Sequence, residues 1–398
     1  MRRTLPALLG AALMGLTACS TTTPETGVPT ATTGAGPTTA TTEPSVAAEP
    51  SVAAEASVTS EPFVTTEAAS TSAPTGGPDP GPVAGALALA PEGASYLTVT
   101  DWARIKQRLG AGDLTGESIQ TDRIEFWRAV GSSTVLLTDG ALRAENSRLG
   151  IRYSVTQDDV LWELRWAGDE DAAGGSGEAT SPGMALRLRD DLDLDGLGRA
   201  VTDGVPGVEG AQVLPGQHLL LRGAGEPGST VTSEPGLVAA LADGAETQVA
   251  VPGCLGWPTA LGPDAGVEDQ EAVAGAVAVE ELLDPQAWGI AFTGRQAIVS
   301  VVYPEGTDDR AAAADAQARL GLAEVWPTTG SVGWGDAFGL PPGLNGDGYE
   351  VGGGGDRIVV TADYRVVNPT AAATVALTGL VPWAVCSEID WLAEPTGL

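Results

Sequence analysis

Between Ser20 and about Val83 the chain has almost no large apolar residue, and this tract limits where a fold can form. It consists of Thr, Ser, Pro, Ala, Gly and Glu. Such a stretch buries too little surface to offset its chain entropy, so it is expected to stay disordered. Within it runs a six-residue period, EPSVAA EPSVAA EASVTS EPFVTT, with glutamates at 43, 49, 55, 61 and 67 and prolines at 44, 50 and 62. A unit with one valine has no hydrophobic face for stacking to complete, so this is a linker and not a solenoid. Regular proline and like charge favour an extended, polyproline-leaning chain, reaching about 190 Å if fully extended and about 45 Å as a flexible coil.

Packing is therefore confined to 84–398. Hydrophobic residues make up 43% of the whole chain, enough for a substantial core there. The pattern alternates hairpins with short helices. SYLTVTD (95–101) alternates as a strand, and Asp101 or Thr100 caps the helix WARIKQRL, which Gly110 stops. TDRIEFWRAVG (121–131) reads as a helix capped by Thr121 or Asp122 and stopped by Gly131. VLWELRW (160–166) puts Trp162, Leu164 and Trp166 on one strand face. A polar loop (167–183), the strand MALRLRD, a helix and the hairpin AQVLPGQHLLLRG follow.

The pattern then recurs. SEPGLVAALADG (233–244) reads as a helix with Ser233 as cap, TQVAVPGCLGW comes next, and an alanine-rich helix lies near 268–283. WGIAFTGRQAIVSVVYP (288–304) is a hairpin turning at Thr293-Gly294. TDDRAAAADAQARLG (307–321) is a helix with Thr307 as cap and Gly321 as stop. YEVGGGGDRIVVTADYRVV (349–367) is a hairpin, and NPTAAATVALTGL is a helix opened by Asn368 and Pro369. Hairpins with helices between them predict an α+β fold with antiparallel sheet. The recurrence suggests two similar halves, 84–250 and 251–398.

Charge narrows the partners. Twenty Lys and Arg face 52 Asp and Glu, a formal net charge of −32. The sole lysine is Lys106 and the sole histidine His218. Such a surface repels phosphates, so nucleic acid is not an expected partner.

The first residues, MRRTLPALLGAALMGLTAC, carry basic Arg2 and Arg3, an apolar stretch from Leu5 to Gly15 too short to span a bilayer, and small residues before Cys19. Leu16-Thr17-Ala18-Cys19 resembles the lipobox of bacterial lipoproteins. The resemblance implies cleavage after residue 18, a diacylglyceryl group on Cys19, and tethering on the extracytoplasmic face of the cell membrane. Two or three acyl chains, at about 0.8 kcal/mol per buried methylene, anchor stably. Removing 1–18 takes away two arginines and no acid, leaving 18 basic residues against 52 acidic ones. The blocks YLTVTDWARIKQRLG, TDRIEFWRAVG, TQDDVLWELRW and DPQAWGIAFTG are similar to those of actinobacterial exported lipoproteins. That resemblance implies location and transfers no site.

The two remaining cysteines, Cys254 and Cys386, are expected to form a disulfide in an exported domain. Their separation of 132 positions makes such a bond worth up to about 5 kcal/mol in the chain-entropy model.

Catalytic signatures are sparse. No G-x-S-x-G elbow occurs, Lys106 has no S-x-x-K serine, and one histidine cannot build H-E-x-x-H. His218 reads as a structural residue on a strand. Asp191, Asp193, Asp195 and Gly196 match the start of a calcium loop, but Thr202 stands where a bidentate Glu is required and Gly198 where a hydrophobic residue is usual. Asp193 or Asp195 reads better as a helix cap, and NGDG (345–348) as a turn. No metal and no cofactor is expected. Ten tryptophans against four phenylalanines leave glycan stacking open, although most of the ten read as core. The sequence thus points to a non-enzymatic, lipid-anchored envelope protein that binds a ligand or partner, with envelope glycan or a protein as the candidate partner. The alternative is a carboxylate-dependent hydrolase of cell-envelope glycan.

Overall fold

A computed structural model describes residues 81–167, 183–223, 230–329, 332–339, 348–354 and 357–392. The leader, Cys19 and the repeats lie outside the described residues, as does most of the 167–183 loop.

In chain order the elements are α1 (Gly81–Leu89), β1 (Tyr96–Asp101), α2 (Trp102–Arg108), α3 (Gln120–Ser133), α4 (Asn146–Tyr153), β2 (Val160–Ala167) and β3 (Gly183–Leu188). Then come α5 (Asp195–Thr202), β4 (Gln212–Leu214), β5 (Leu219–Arg222), α6 (Pro235–Ala240), β6 (Thr247–Pro252), α7 (Trp257–Leu261), α8 (Val267–Ala274), β7 (Ala287–Thr293) and β8 (Gln296–Val302). The last are α9 (Asp309–Val325), β9 (Thr328–Thr329), β10 (Val332–Gly333), α10 (Trp334–Ala337), β11 (Glu350–Gly354), β12 (Arg357–Arg365) and α11 (Pro369–Thr378). The fold is α+β. Among the described residues no helix is long and apolar enough to cross a membrane.

Ten strands form one sheet in the order β11-β12-β8-β7-β6-β1-β2-β3-β5-β4, and every neighbouring pair is antiparallel. The strands fall into two sets with one topology. β1 to β5 lie in the order β1-β2-β3-β5-β4, and the second set lies as β6-β7-β8-β12-β11. The sets meet where β1 pairs antiparallel with β6, with Leu97 opposite Ala250 and Thr100 opposite Thr247.

The period-2 pattern sorts side chains to two faces. Leu97, Val99, Leu164, Trp166 and Ala250 point to one face and pack with α1 and α6. Gly289 lets α6 lie close there, since a Cβ would stand 2.4 Å from the Ala240 carbonyl oxygen. The opposite face carries two cores. One holds Ile105, Leu149, Leu186 and Leu197. The other holds Trp257, Ile290, Val299, Leu322 and Trp383.

Between these cores the seam is polar. Thr98, Thr100, Thr247, Glu163 and Glu246 are all buried there. The segment 134–142 straps across it. Val135 and Leu137 join one core and Leu142 the other, while the Thr247 hydroxyl donates to the Val135 carbonyl at 2.8 Å. The Glu163 carboxylate accepts from Thr138 Oγ1 at 3.0 Å, Ala141 N at 3.1 Å and Arg165 Nε at 2.6 Å. Glu246 accepts from Arg108 and from Gly294 N. Buried carboxylates are tolerated when their acceptor capacity is filled in this way.

Helix ends depart from the expectations where tertiary packing overrides local signals. Asp101 does cap α2, accepting from Arg104 N at 2.9 Å. Asn368 caps α11 through Thr370 N and Ala371 N. The 121–131 helix instead starts at Gln120 with no side-chain cap and runs through Gly131 to Ser133. Asp308, not Thr307, caps α9. That helix also continues past Gly321 to Val325, because Leu320 and Leu322 still face the core. A Cβ on Gly321 would stand 2.9 Å from Val277 Cγ1, so this glycine serves close approach and not termination. Ser233 does not cap α6, whose N-cap is Glu234. His218 lies in the β4–β5 turn at φ 47°, not on a strand.

Candidate functional site

The second core opens to the surface beside the end of β12, where three segments converge. The end of α9 supplies Ala323 and Glu324. The β9–β10 ribbon delivers the chain to the single turn α10, and Asp336 fixes the entry by accepting from Gly333 N at 2.8 Å. After the turn, Gly339 N donates to the Arg365 carbonyl at 2.9 Å, which clamps α10 beside β12. The cleft so formed has a volume of about 280 Å³ and is lined by Ala323, Glu324, Trp334, Gly335, Phe338, Gly339 and Tyr364.

Three aromatic rings shape its wall. Trp334 lies 4.3 Å from Phe338 and 5.2 Å from Tyr364 between centroids, the latter pair at 90°. Such edge-to-face contacts add roughly 0.5–1.5 kcal/mol beyond area burial. The Tyr364 hydroxyl accepts from Trp383 Nε1 at 2.8 Å. An indole nitrogen only donates, so Trp383 occupies an acceptor site of the phenol. Burial, above all, pushes the phenol well above its usual range, with the Glu324 carboxylate adding to the shift. The group stays protonated at any physiological pH. Glu324 is exposed at the lip.

The structure places the sequence candidates elsewhere. Cys254 and Cys386 form a disulfide that ties the segment after β6 to the C-terminal segment. Beside it Leu255 N donates to Ala384 O at 2.7 Å and Cys386 N to Leu255 O at 2.9 Å. Asp284 lies close enough to complete a metal-like trio. However, both sulfurs are bonded to each other, and Asp284 Oδ1 accepts from Ser387 N and Oγ at 2.7 Å. Asp191 pairs with Arg189 at 2.7 Å, and Asp193 accepts from Asp195 N at 3.0 Å, a turn leading into α5. Trp162 and Trp166 are core residues on the α1 face. Lys106 is buried and donates to the carbonyls of Asp158 and Val160. Cys19 lies outside the described residues.

Sequence reasoning did not single out Trp334, Phe338, Tyr364 or Glu324. A signal was present: Trp334-Gly335 and Phe338-Gly339 repeat an aromatic-glycine step at spacing four. That spacing sets two rings on one side of a single helical turn.

No family model and no curated protein matches the chain. Among solved structures, one described as crystal form I of TP0453 aligns over 74% of this chain and 98% of the other, at 8% identity and a TM-score of 0.28. So slight a likeness carries no argument about fold or function.

Proposed function

We propose that the chain is an exported, lipid-tethered protein that binds a ligand without transforming it, held by acylated Cys19 on the extracytoplasmic face of the cell membrane. The observation that carries the binding role is the aromatic cleft, which combines three rings and one exposed carboxylate. The disulfide supports an oxidising compartment. The lipobox-like tetrapeptide and the linker supply the tether and the reach.

Interior carboxylates favour binding over catalysis, because they are spent on structure. Glu163, Glu246, Asp158, Asp159 and Asp315 each accept two or more hydrogen bonds from protein donors. A glycan hydrolase needs two carboxyl groups facing one substrate. Among the described residues lining the cleft, Glu324 is the single carboxylate.

Fractionation of cells expressing Cys19→Ala tests the tether. The variant is expected to leave the membrane fraction, and retention at the wild-type level would overturn the assignment.

A further inference from the structure

The corner that holds the disulfide contains the parts of a metal centre. We propose that reduction of the Cys254–Cys386 bond creates a zinc site, with both thiolates and the Asp284 carboxylate as ligands. This goes beyond the binding role argued above and does not rest on it.

The ligand atoms already stand together. Cys254 Sγ, Cys386 Sγ and an Asp284 oxygen lie within 4.8 Å of one another. Zinc holds sulfur at about 2.3 Å and carboxylate oxygen at about 2.1 Å, so a tetrahedral site sets sulfur and oxygen about 3.6 Å apart. Asp284 Oδ1 stands 3.9 Å from Cys254 Sγ. The freed sulfurs need only part to about 3.8 Å, the spacing of two thiolates on one zinc. Three protein ligands leave the fourth position to water. Two sulfurs in the set favour zinc over calcium or magnesium.

Hydrogen bonds that do not involve the sulfurs hold this frame. On either side of Cys254, Gly253 N donates to Gln286 O and Leu255 N to Ala384 O, both at 2.7 Å. Cys386 N donates to Leu255 O at 2.9 Å, and Cys386 O accepts from Trp257 Nε1 at 3.0 Å. Ser387 donates its N and Oγ to Asp284 Oδ1, which orients the carboxylate as second-layer donors do in metal sites. An ionised carboxylate has about four lone-pair sites, so these two bonds leave capacity for a metal. Both cysteines are partly exposed and Asp284 is exposed, so reductant and metal reach them.

The steps balance. A small dithiol gives two electrons and two protons to the bond and becomes a disulfide itself, leaving Cys254 and Cys386 as thiols. Zinc then displaces both thiol protons to water. Bond and metal compete for the same sulfurs, so metal binding is gated by redox state.

The test uses the full chain carrying Cys19→Ala, in which Cys254 and Cys386 are the two remaining cysteines. Oxidised and dithiol-reduced samples, the latter freed of reductant by anaerobic gel filtration, are titrated with zinc and with cadmium, whose thiolate complex absorbs in the ultraviolet. Magnesium is the comparator. The reduced chain is expected to bind one zinc with a Kd on the order of 1 µM, and the oxidised chain none. Asp284→Asn keeps an acceptor for Ser387 and should weaken binding at least about tenfold. Equal binding by the oxidised chain, no zinc bound at about 100 µM, or binding indifferent to Asp284→Asn would overturn the proposal. Near-ultraviolet circular dichroism reports whether the reduced chain stays packed. Loss of that signal on reduction would overturn the preformed site.

Discussion

Asp315 and Arg319, one helical turn apart on α9, form an ion pair in which neither side chain is exposed, with Nε to Oδ2 at 2.6 Å. The pair has further partners. Tyr303 donates its hydroxyl to Asp315, and Leu283 N donates to the same carboxylate at 2.7 Å. Arg319 donates to the carbonyls of Trp383 at 2.8 Å, Val385 at 3.0 Å and Leu283 at 2.6 Å. One guanidinium thus fastens the C-terminal segment to the core.

Removing one partner of such a pair strands a buried charge. Arg319→Met should lower unfolding free energy by about 3–5 kcal/mol, and Asp315→Leu combined with Arg319→Met should recover part of the loss. Urea melts of the single and double variants measure this. A single variant within about 1 kcal/mol of the parent would show that the pair does not hold the segment.

The disulfide closes the same region covalently. Cys254→Ala with Cys386→Ala should cost about 2–5 kcal/mol, chiefly by freeing the unfolded chain. A melting temperature indifferent to reductant would contradict this.

Lys106 gives stability a pH signature. Burial pulls its pKa down to about 8, against the upward pull of Asp158 and Asp159. Between that value and its ordinary 10.5 the unfolded chain holds the extra proton, so stability rises with pH across this window, by about 3 kcal/mol in all. Tyr303 and Tyr364 act the other way. Burial raises both phenols, so their contribution is complete below about pH 10 and is lost as pH climbs further. The urea midpoint is expected to increase from pH 7.5 to 9.5, and Lys106→Met should remove that increase. A falling midpoint over the same range in the parent would contradict the assignment.

The same residue predicts amine chemistry. Lys106 is 3% exposed and no other lysine exists. A hydroxysuccinimide ester should modify no side chain of the native protein and one after denaturation, counted by mass spectrometry. Modification of Lys106 at native pH would show that the site opens.

Local structure was legible where a short-range pattern decides it. The strands at 96–101 and 160–167, the hairpins at 287–302 and 350–365, and the cap at Asn368 follow from alternation, turn residues and side-chain chemistry within a few positions. Gly321 misled because a buried helix face outweighs the roughly 1 kcal/mol a glycine costs, whereas past Gly131 the helix runs only two residues, to Ser133. The pairing of β1 with β6 was beyond local reading, since Val99 and Gln248 meet across 149 positions. The cleft was equally hidden. Tyr364 and Glu324 come from different elements, and only the tertiary fold sets a phenol between two indoles. The Cys254–Cys386 bond was foreseeable because, with Cys19 expected to carry the lipid, the two remaining cysteines allow one intramolecular pairing.

The junction of β1 with β6 has a consequence for the origin of the chain. Antiparallel neighbours are related by a half-turn about an axis normal to the sheet. Because the five strands on either side follow one order, that rotation carries one half of the sheet onto the other. A gene half as long, encoding one five-strand unit, would have an open edge complementary to its own copy. Duplication and fusion of such a gene would turn a contact between two molecules into the centre of one.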